Sequence, residues 1–259
     1  MSQNYKVAIA YDGTNYGGWQ IQPNTISIQA VLENVLRIIL RQEISLIGSG
    51  RTDAGVHALN QVAHFRYSAT IDIPRFLYSL NALIPPDIRV RSMQPVDDSF
   101  HAQYSAISKT YRYHLWLEPV QDPFQRLYSW HIRRPLDLDA LEEACSYLVG
   151  THDFTSFANE AHSGSAAKDP VRTMFNASLH RQEGCAYLEF TANGFLYKMV
   201  RNIVGTLVEV AGDQRRPADI PYLLASKDRR LAGQAAPALG LFLVRVIYTR
   251  AAPTQLLPL

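Results

Sequence analysis

Ile44-Ser45-Leu46-Ile47-Gly48-Ser49-Gly50-Arg51-Thr52-Asp53-Ala54-Gly55-Val56-His57-Ala58 sets a short apolar segment against a loop with three glycines in eight residues. Ile44–Ile47 reads as a short strand, Gly48–Gly55 as a loop and Gln61–Tyr67 as the next strand. The connection is hairpin-like, with no room for a crossover helix. The glycines allow tight backbone turns, so Arg51, Thr52 and Asp53 are presented on a loop between two strands.

Working outward, Tyr5, Val7, Ile9 and Tyr11 alternate with Lys6, Ala8 and Ala10 as in a strand. After the turn-rich segment Asp12–Gln20, apolar residues from Ile28 to Ile39 fall at helical spacing, with Ser27 as N-cap. A helix from Pro74 must end by Pro85-Pro86, and Ile88–Met93 is a strand. The second half repeats this grammar. Lys109–Leu117 is a strand with Tyr111, Tyr113, Leu115 and Leu117 on one face. Asp137–Val149 is a helix stopped by Gly150, and Thr173–Thr191 is a hairpin turning at Glu183-Gly184. Phe195–Ala211 is a long apolar helix, a shorter one follows Pro217, and Leu241–Thr249 is the last strand. Strands and helices mixed in this way, with both hairpin and crossover connections, predict an α+β fold with a mainly antiparallel sheet. The expected seam lies near Ser99–Ser108, dividing the chain into residues 1–104 and 105–259.

Of the 259 residues, 47% are hydrophobic and 19% charged, the balance of a folded globular chain. No apolar run reaches the roughly 18 residues that a membrane helix needs. The two cysteines, Cys145 and Cys185, have no metal-like spacing and fit a reducing cytoplasm. The net charge of +2 says little about partners, but five basic residues against two acidic ones recur in both His101–Arg134 and Arg215–Arg230. Such local excess fits either a phosphate-bearing partner or an ordinary solvated surface.

Three clusters carry candidate chemistry. The Asp53 loop is neither a phosphate-binding P-loop nor a dinucleotide fingerprint, and Asp53 with His57 makes too small a ligand set for a metal. Asp53 is either a functional carboxylate or a turn cap paired with Arg51. Lys109-Thr110-Tyr111-Arg112-Tyr113-His114 alternates aromatic and basic groups. That mixture suits base stacking with phosphate neutralisation, or a strand with its rings in the core and its charges in water. Arg201 lies on an otherwise apolar helix, where a charge needs a partner or a route to the surface; Asp53 is one possible partner.

Taken together, the chain resembles the tRNA pseudouridine synthase family typified by bacterial TruA. The resemblance rests on Tyr11-Asp12-Gly13-Thr14, Gly18-Trp19-Gln20, Gly50–Ala58, Lys109–Tyr113, His152-Asp153-Phe154, Phe195-Leu196-Tyr197 with Met199-Val200-Arg201-Asn202, and Gly240–Leu243. It covers nearly the whole length, and the segment around Asp53 is the most specific part. One departure follows the long helix. The chain reads Ala211-Gly212-Asp213-Gln214-Arg215-Arg216-Pro217, where the family often has a Gly-Arg-Gly-Lys-like stretch.

The resemblance implies two similar subdomains sharing the sheet, with the active site in the cleft between them. It implies isomerisation of uridine to pseudouridine at positions 38, 39 and 40 of the tRNA anticodon stem-loop, by a cytoplasmic homodimer. No cofactor and no metal are expected. Asp53 is the implied catalytic nucleophile and Arg201 its partner, holding the carboxylate oriented in a partly dry pocket. Tyr111 is implied to stack on the flipped base. Arg51 is a candidate to fill the vacated space or to hold a neighbouring phosphate. His57, His64, His101 and His152 are expected to be structural.

Overall fold

The computed structural model describes residues 2–159 and 169–249. Its centre is one sheet whose main path runs β4-β1-β3-β10-β5-β9-β8-β7. In chain order these strands are β1 (Gln3–Tyr11), β2 (Ile47–Gly48), β3 (His57–Tyr67), β4 (Ile88–Val96), β5 (Ser108–Trp116), β6 (Trp130–His131), β7 (Gly150–Asp153), β8 (Val171–Gln182), β9 (Cys185–Ala192) and β10 (Leu241–Ile247). The short strands β2 and β6 pair with β3 and β5. All pairings are antiparallel except β10 with β3 and β5 with β6. Together with five α-helices among the described residues, this is the expected α+β architecture.

The helices follow their local chemistry. In α1 (Ile28–Leu40) the Ser27 side chain accepts from the amide of Ala30, and Ile28, Leu32, Val35 and Leu36 are buried. Each such side chain contributes about 1.5–3 kcal/mol when removed from water. Asp72 caps α2 (Ile73–Leu83), whose end at Ile84 is enforced by Pro85 and Pro86. Asp137 caps α3 (Leu138–Ser146). Then come α4 (Met199–Ala211), buried along most of its length, and the short α5 (Asp219–Ser226).

Of the boundaries that differ from the sequence reading, three lie around the Asp53 loop and the long helix. The strand expected over Ile44–Ile47 is only Ile47–Gly48, because Ile44 and Leu46 turn into the core instead of pairing. The strand after the loop begins at His57, four residues early, because β10 pairs with its first residues. The long apolar helix begins at Met199 and not at Phe195. Lys198 adopts a left-handed conformation, φ 58°, and so ends a turn before the helix starts.

The sheet register decides what meets at the centre. Tyr11 pairs with Ala58, Ala58 with Leu243, Leu243 with Tyr111, and Tyr111 with Phe190. These residues form one row across five strands. The loop entering β3 is thereby set close to the middle of β5, although about 60 residues separate them in sequence.

Candidate active site

The Asp53 loop is held by its backbone, which frees the side chain. Asp53-Ala54-Gly55-Val56 is a turn closed by the Val56 amide donating to the Asp53 carbonyl at 3.1 Å. Gly55 takes the required left-handed conformation, φ 76°. The turn is braced from the neighbouring loop. The Trp19 amide donates to the Thr52 carbonyl at 3.1 Å, and the hydroxyls of Tyr11 and Thr52 are 2.8 Å apart. Gly18, φ 94°, brings that loop so close that a Cβ there would sit 2.3 Å from the Thr52 carbonyl oxygen. This contact accounts for glycine in the Gly18-Trp19-Gln20 stretch.

Asp53 does open a turn, then, but through its main chain. Its carboxylate faces Arg201, with Nη1 donating to Oδ2 at 2.9 Å. The side chains are 19% and 15% exposed, so the pair is largely out of water. Arg201 is fixed elsewhere as well. Its Nε donates to the Ala236 carbonyl at 2.8 Å, and the Ala236 amide donates back to the Arg201 carbonyl at 2.9 Å. The guanidinium therefore links α4, the segment before β10 and the Asp53 loop. The charge that looked misplaced on an apolar helix neither reaches the surface nor lacks a partner.

Tyr111 is buried on β5, with the Phe195 ring edge-on at 5.0 Å. Its hydroxyl makes no hydrogen bond among the described residues. Burial raises the phenol well above its ordinary pKa, and Tyr11 and Asp53 add to the rise. The phenol is thus protonated across the neutral range and can donate a hydrogen bond. Tyr113 points the same way but is spent on structure, its hydroxyl donating to the Pro237 carbonyl at 2.8 Å.

The remaining candidates divide clearly. Arg51 is exposed and forms no ion pair among the described residues; Asp53 pairs with Arg201 instead. His57 is buried, with Nδ1 accepting from the Gly13 amide at 3.1 Å and Nε2 facing the Leu239 carbonyl at 3.1 Å. Burial lowers its pKa against the opposing pull of Asp12, which favours a neutral ring with both nitrogens engaged. Asp12 accepts from the amide and hydroxyl of Thr14 and from the Tyr128 hydroxyl, so the Asp12-Gly13-Thr14 motif is scaffolding.

The basic residues of Arg215–Arg230 have partners within the chain, several of them at the surface. Arg215 pairs with Glu209, Arg216 with Asp219, Lys227 with Asp153 and Arg230 with Asp228. Arg229 bonds Asn159, Asn202 and the Ala232 carbonyl. Two other cations lie nearer the site. Lys109 shares a face with Tyr111, as period-two alternation implies, and belongs to the basic stretch whose charge excess fits a phosphate-bearing partner. Arg172 on β8 carried no sequence signal at all.

The structure thus brings together a carboxylate on a braced loop, the arginine that holds it and a buried tyrosine, the three residues that the resemblance set in one site. The family described as tRNA pseudouridine synthase matches residues 7–105 and 144–249 of the chain. Asp53 and Arg201 fall within the matched stretches, and Tyr111 lies between them. The tRNA pseudouridine synthase A 1 of Protochlamydia amoebophila is 57% identical over 94% of this chain and 96% of its own length. The tRNA pseudouridine synthase A of Limosilactobacillus reuteri is 46% identical over 94% and 96%, and that of Thermoanaerobacter sp. 43% over 95% and 100%. The chain belongs to the tRNA pseudouridine synthase family.

Proposed function

We propose that this chain isomerises uridine to pseudouridine at positions 38, 39 and 40 of the tRNA anticodon stem-loop. The observation that carries the reading is the Asp53–Arg201 pair at 2.9 Å, beside Tyr111, in a member of this family. In the reaction the C1′–N1 bond breaks, C1′ bonds to C5, and the C5 proton is replaced by one on N1. No atom is gained or lost. Residues 1–104 would supply the carboxylate loop, and residues 105–259 the tyrosine and the arginine.

A uridine stacked in a stem must first leave the stack, at a cost of a few kcal/mol. In this reading Tyr111 receives the flipped base on its ring and Asp53 acts as the nucleophile. Arg201 keeps the carboxylate aimed, and exposed Arg51 reaches into the space the base has left. The test is pseudouridine mapping on unmodified tRNA incubated with the protein. The expected signal is at positions 38–40; its absence there would reject the substrate assignment. A hydrolase built on Asp53 and His57 would instead release free uracil. The engaged ring of His57 argues against that alternative.

Tyr111→Phe separates two roles of the tyrosine. A role for the hydroxyl in moving the C5 proton predicts a fall in single-turnover rate of roughly 10²-fold or more, with RNA binding unchanged. A rate within about threefold of wild type would leave stacking alone. We further propose, from the same family resemblance, a cytoplasmic homodimer with one tRNA contacting both subunits. Sedimentation equilibrium should then give twice the 29.2 kDa chain mass; a monomer at micromolar concentration would overturn this.

A further inference from the structure

Two cations beside the site form no ion pair among the described residues. Lys109 lies two residues before Tyr111 on the same face of β5. Its Nζ donates to the Ser49 carbonyl at 2.6 Å and packs so tightly under the loop that a Cβ at Gly50 would come within 2.8 Å of it. An ammonium has three donors, and here only one has a protein partner among the described residues. Burial pushes Lys109 down to about 8, and the charge of Arg172 adds to the shift.

Arg172 approaches from the other side. Its Nε would lie 3.4 Å from a Cβ at Gly194, the residue before Phe195, whose ring packs on Tyr111. Among the described residues only Nη1 is engaged, by the backbone carbonyls of Asp169 and Val171. The nearby Asp169 carboxylate supplies some opposite charge but accepts its hydrogen bond from the Val171 amide and makes no ion pair with the guanidinium. Neither cation forms an ion pair among the described residues, although Arg112 on the opposite face of the same strand pairs with Glu189 at 2.7 Å. Two desolvated like charges destabilise each other and the free protein, and an anion between them removes that penalty.

We propose that Lys109 and Arg172 bind one backbone phosphodiester flanking the target uridine. A nucleotide whose base lies on Tyr111 and whose C1′ faces Asp53 carries its phosphates one sugar away, beside these side chains. The inference rests on the reading of the Asp53 site as the place of uridine isomerisation. It assigns the site a phosphate contact from its own walls, independent of the internally paired Arg215–Arg230 stretch.

The test uses an unmodified anticodon stem-loop RNA and the full chain. Lys109→Met and Arg172→Gln are each expected to weaken binding about three- to tenfold near 0.1 M salt. Each should lower the slope of log K against log salt, and the two together by no more than about 0.7–0.9, one lost phosphate contact. Lys109→Arg should retain the wild-type slope. Stem-loops carrying one neutral methylphosphonate, 5′ or 3′ of the target uridine, then locate the contact. At one of these linkages neutralisation should weaken wild type at least as much as Lys109→Met does, and should weaken the variant less than it weakens wild type.

Unchanged slopes, or losses that multiply at both linkages, would overturn the proposal. A lower turnover with an unchanged slope in Lys109→Met would do the same, by reducing Lys109 to a prop for the loop. If Lys109→Met melts early, Arg172→Gln, which gives up only backbone-carbonyl bonds, carries the same comparison. Conversion of the unmodified RNA by wild type is followed in parallel. Failure there rejects the reading of the site, whatever the slopes show.

Discussion

Asp53→Asn is expected to abolish pseudouridine formation, with turnover falling by roughly 10⁴-fold or more, as when a covalent catalyst is removed. The substitution is nearly isosteric. Its amide oxygen can still accept from Arg201 Nη1, and the turn that shapes the loop uses the Asp53 main chain, which does not change. The guanidinium loses its counter-charge, but both side chains keep some contact with water. The stability loss should therefore be about 1–3 kcal/mol. Binding of the stem-loop should stay within a few-fold of wild type. A folded Asp53→Asn protein that still converts uridine at a comparable rate would remove Asp53 from the chemistry and leave it as an architectural residue.

Arg201→Met should lower turnover by roughly 10²-fold or more, the usual scale for losing a positioned charge in a water-poor site. It removes the contact to Asp53 and the side-chain bond to Ala236 together, so the loop carboxylate is left half-buried without a partner. Arg201→Lys should not restore the rate. A single ammonium cannot bond the Ala236 carbonyl and the carboxylate in the geometry of the guanidinium fork. The effect belongs mainly in kcat, because the guanidinium bonds the carboxylate and the Ala236 carbonyl. Circular dichroism and melting must accompany the kinetics, since α4 is almost wholly buried. Wild-type turnover in a folded Arg201→Met protein would make the pair a structural clip with no part in the reaction.

Much of this site was legible from local pattern. A carboxylate among glycines between strands, and an arginine on an apolar helix, are violations of local preference that ask for a partner, and they proved to be each other's. The Ser27 cap on α1, the proline stop after α2 and the turn at Glu183-Gly184 were equally local and appear as expected. What escaped depends on distant chain. His57–Asn60 reads as loop until β10 pairs with its start. Phe195–Lys198 has helical apolarity, but Lys198 closes a turn there and Phe195 packs on Tyr111. Lys109 was half legible, since strand periodicity places it with Tyr111 while composition suggests a solvated charge. Arg172 acquires meaning only once β8 lies across from the turn at Gly194. The basic run near residue 215 shows the opposite limit, because composition counts charges without showing which already have partners.

The row that joins Tyr11, Ala58, Leu243 and Tyr111 has a consequence in time. Asp53 and Arg201 are 148 residues apart, and Arg201 is clipped by Ala236, just before the strand that seats β3 against β5. A growing chain on the ribosome thus holds the carboxylate loop early but has no guanidinium to aim it until most of the protein has emerged. Contacts of such long separation form late and slowly. The Asp53–Arg201 pair, and the clip that holds Arg201 to Ala236, can therefore form only once the C-terminal part of the chain is present.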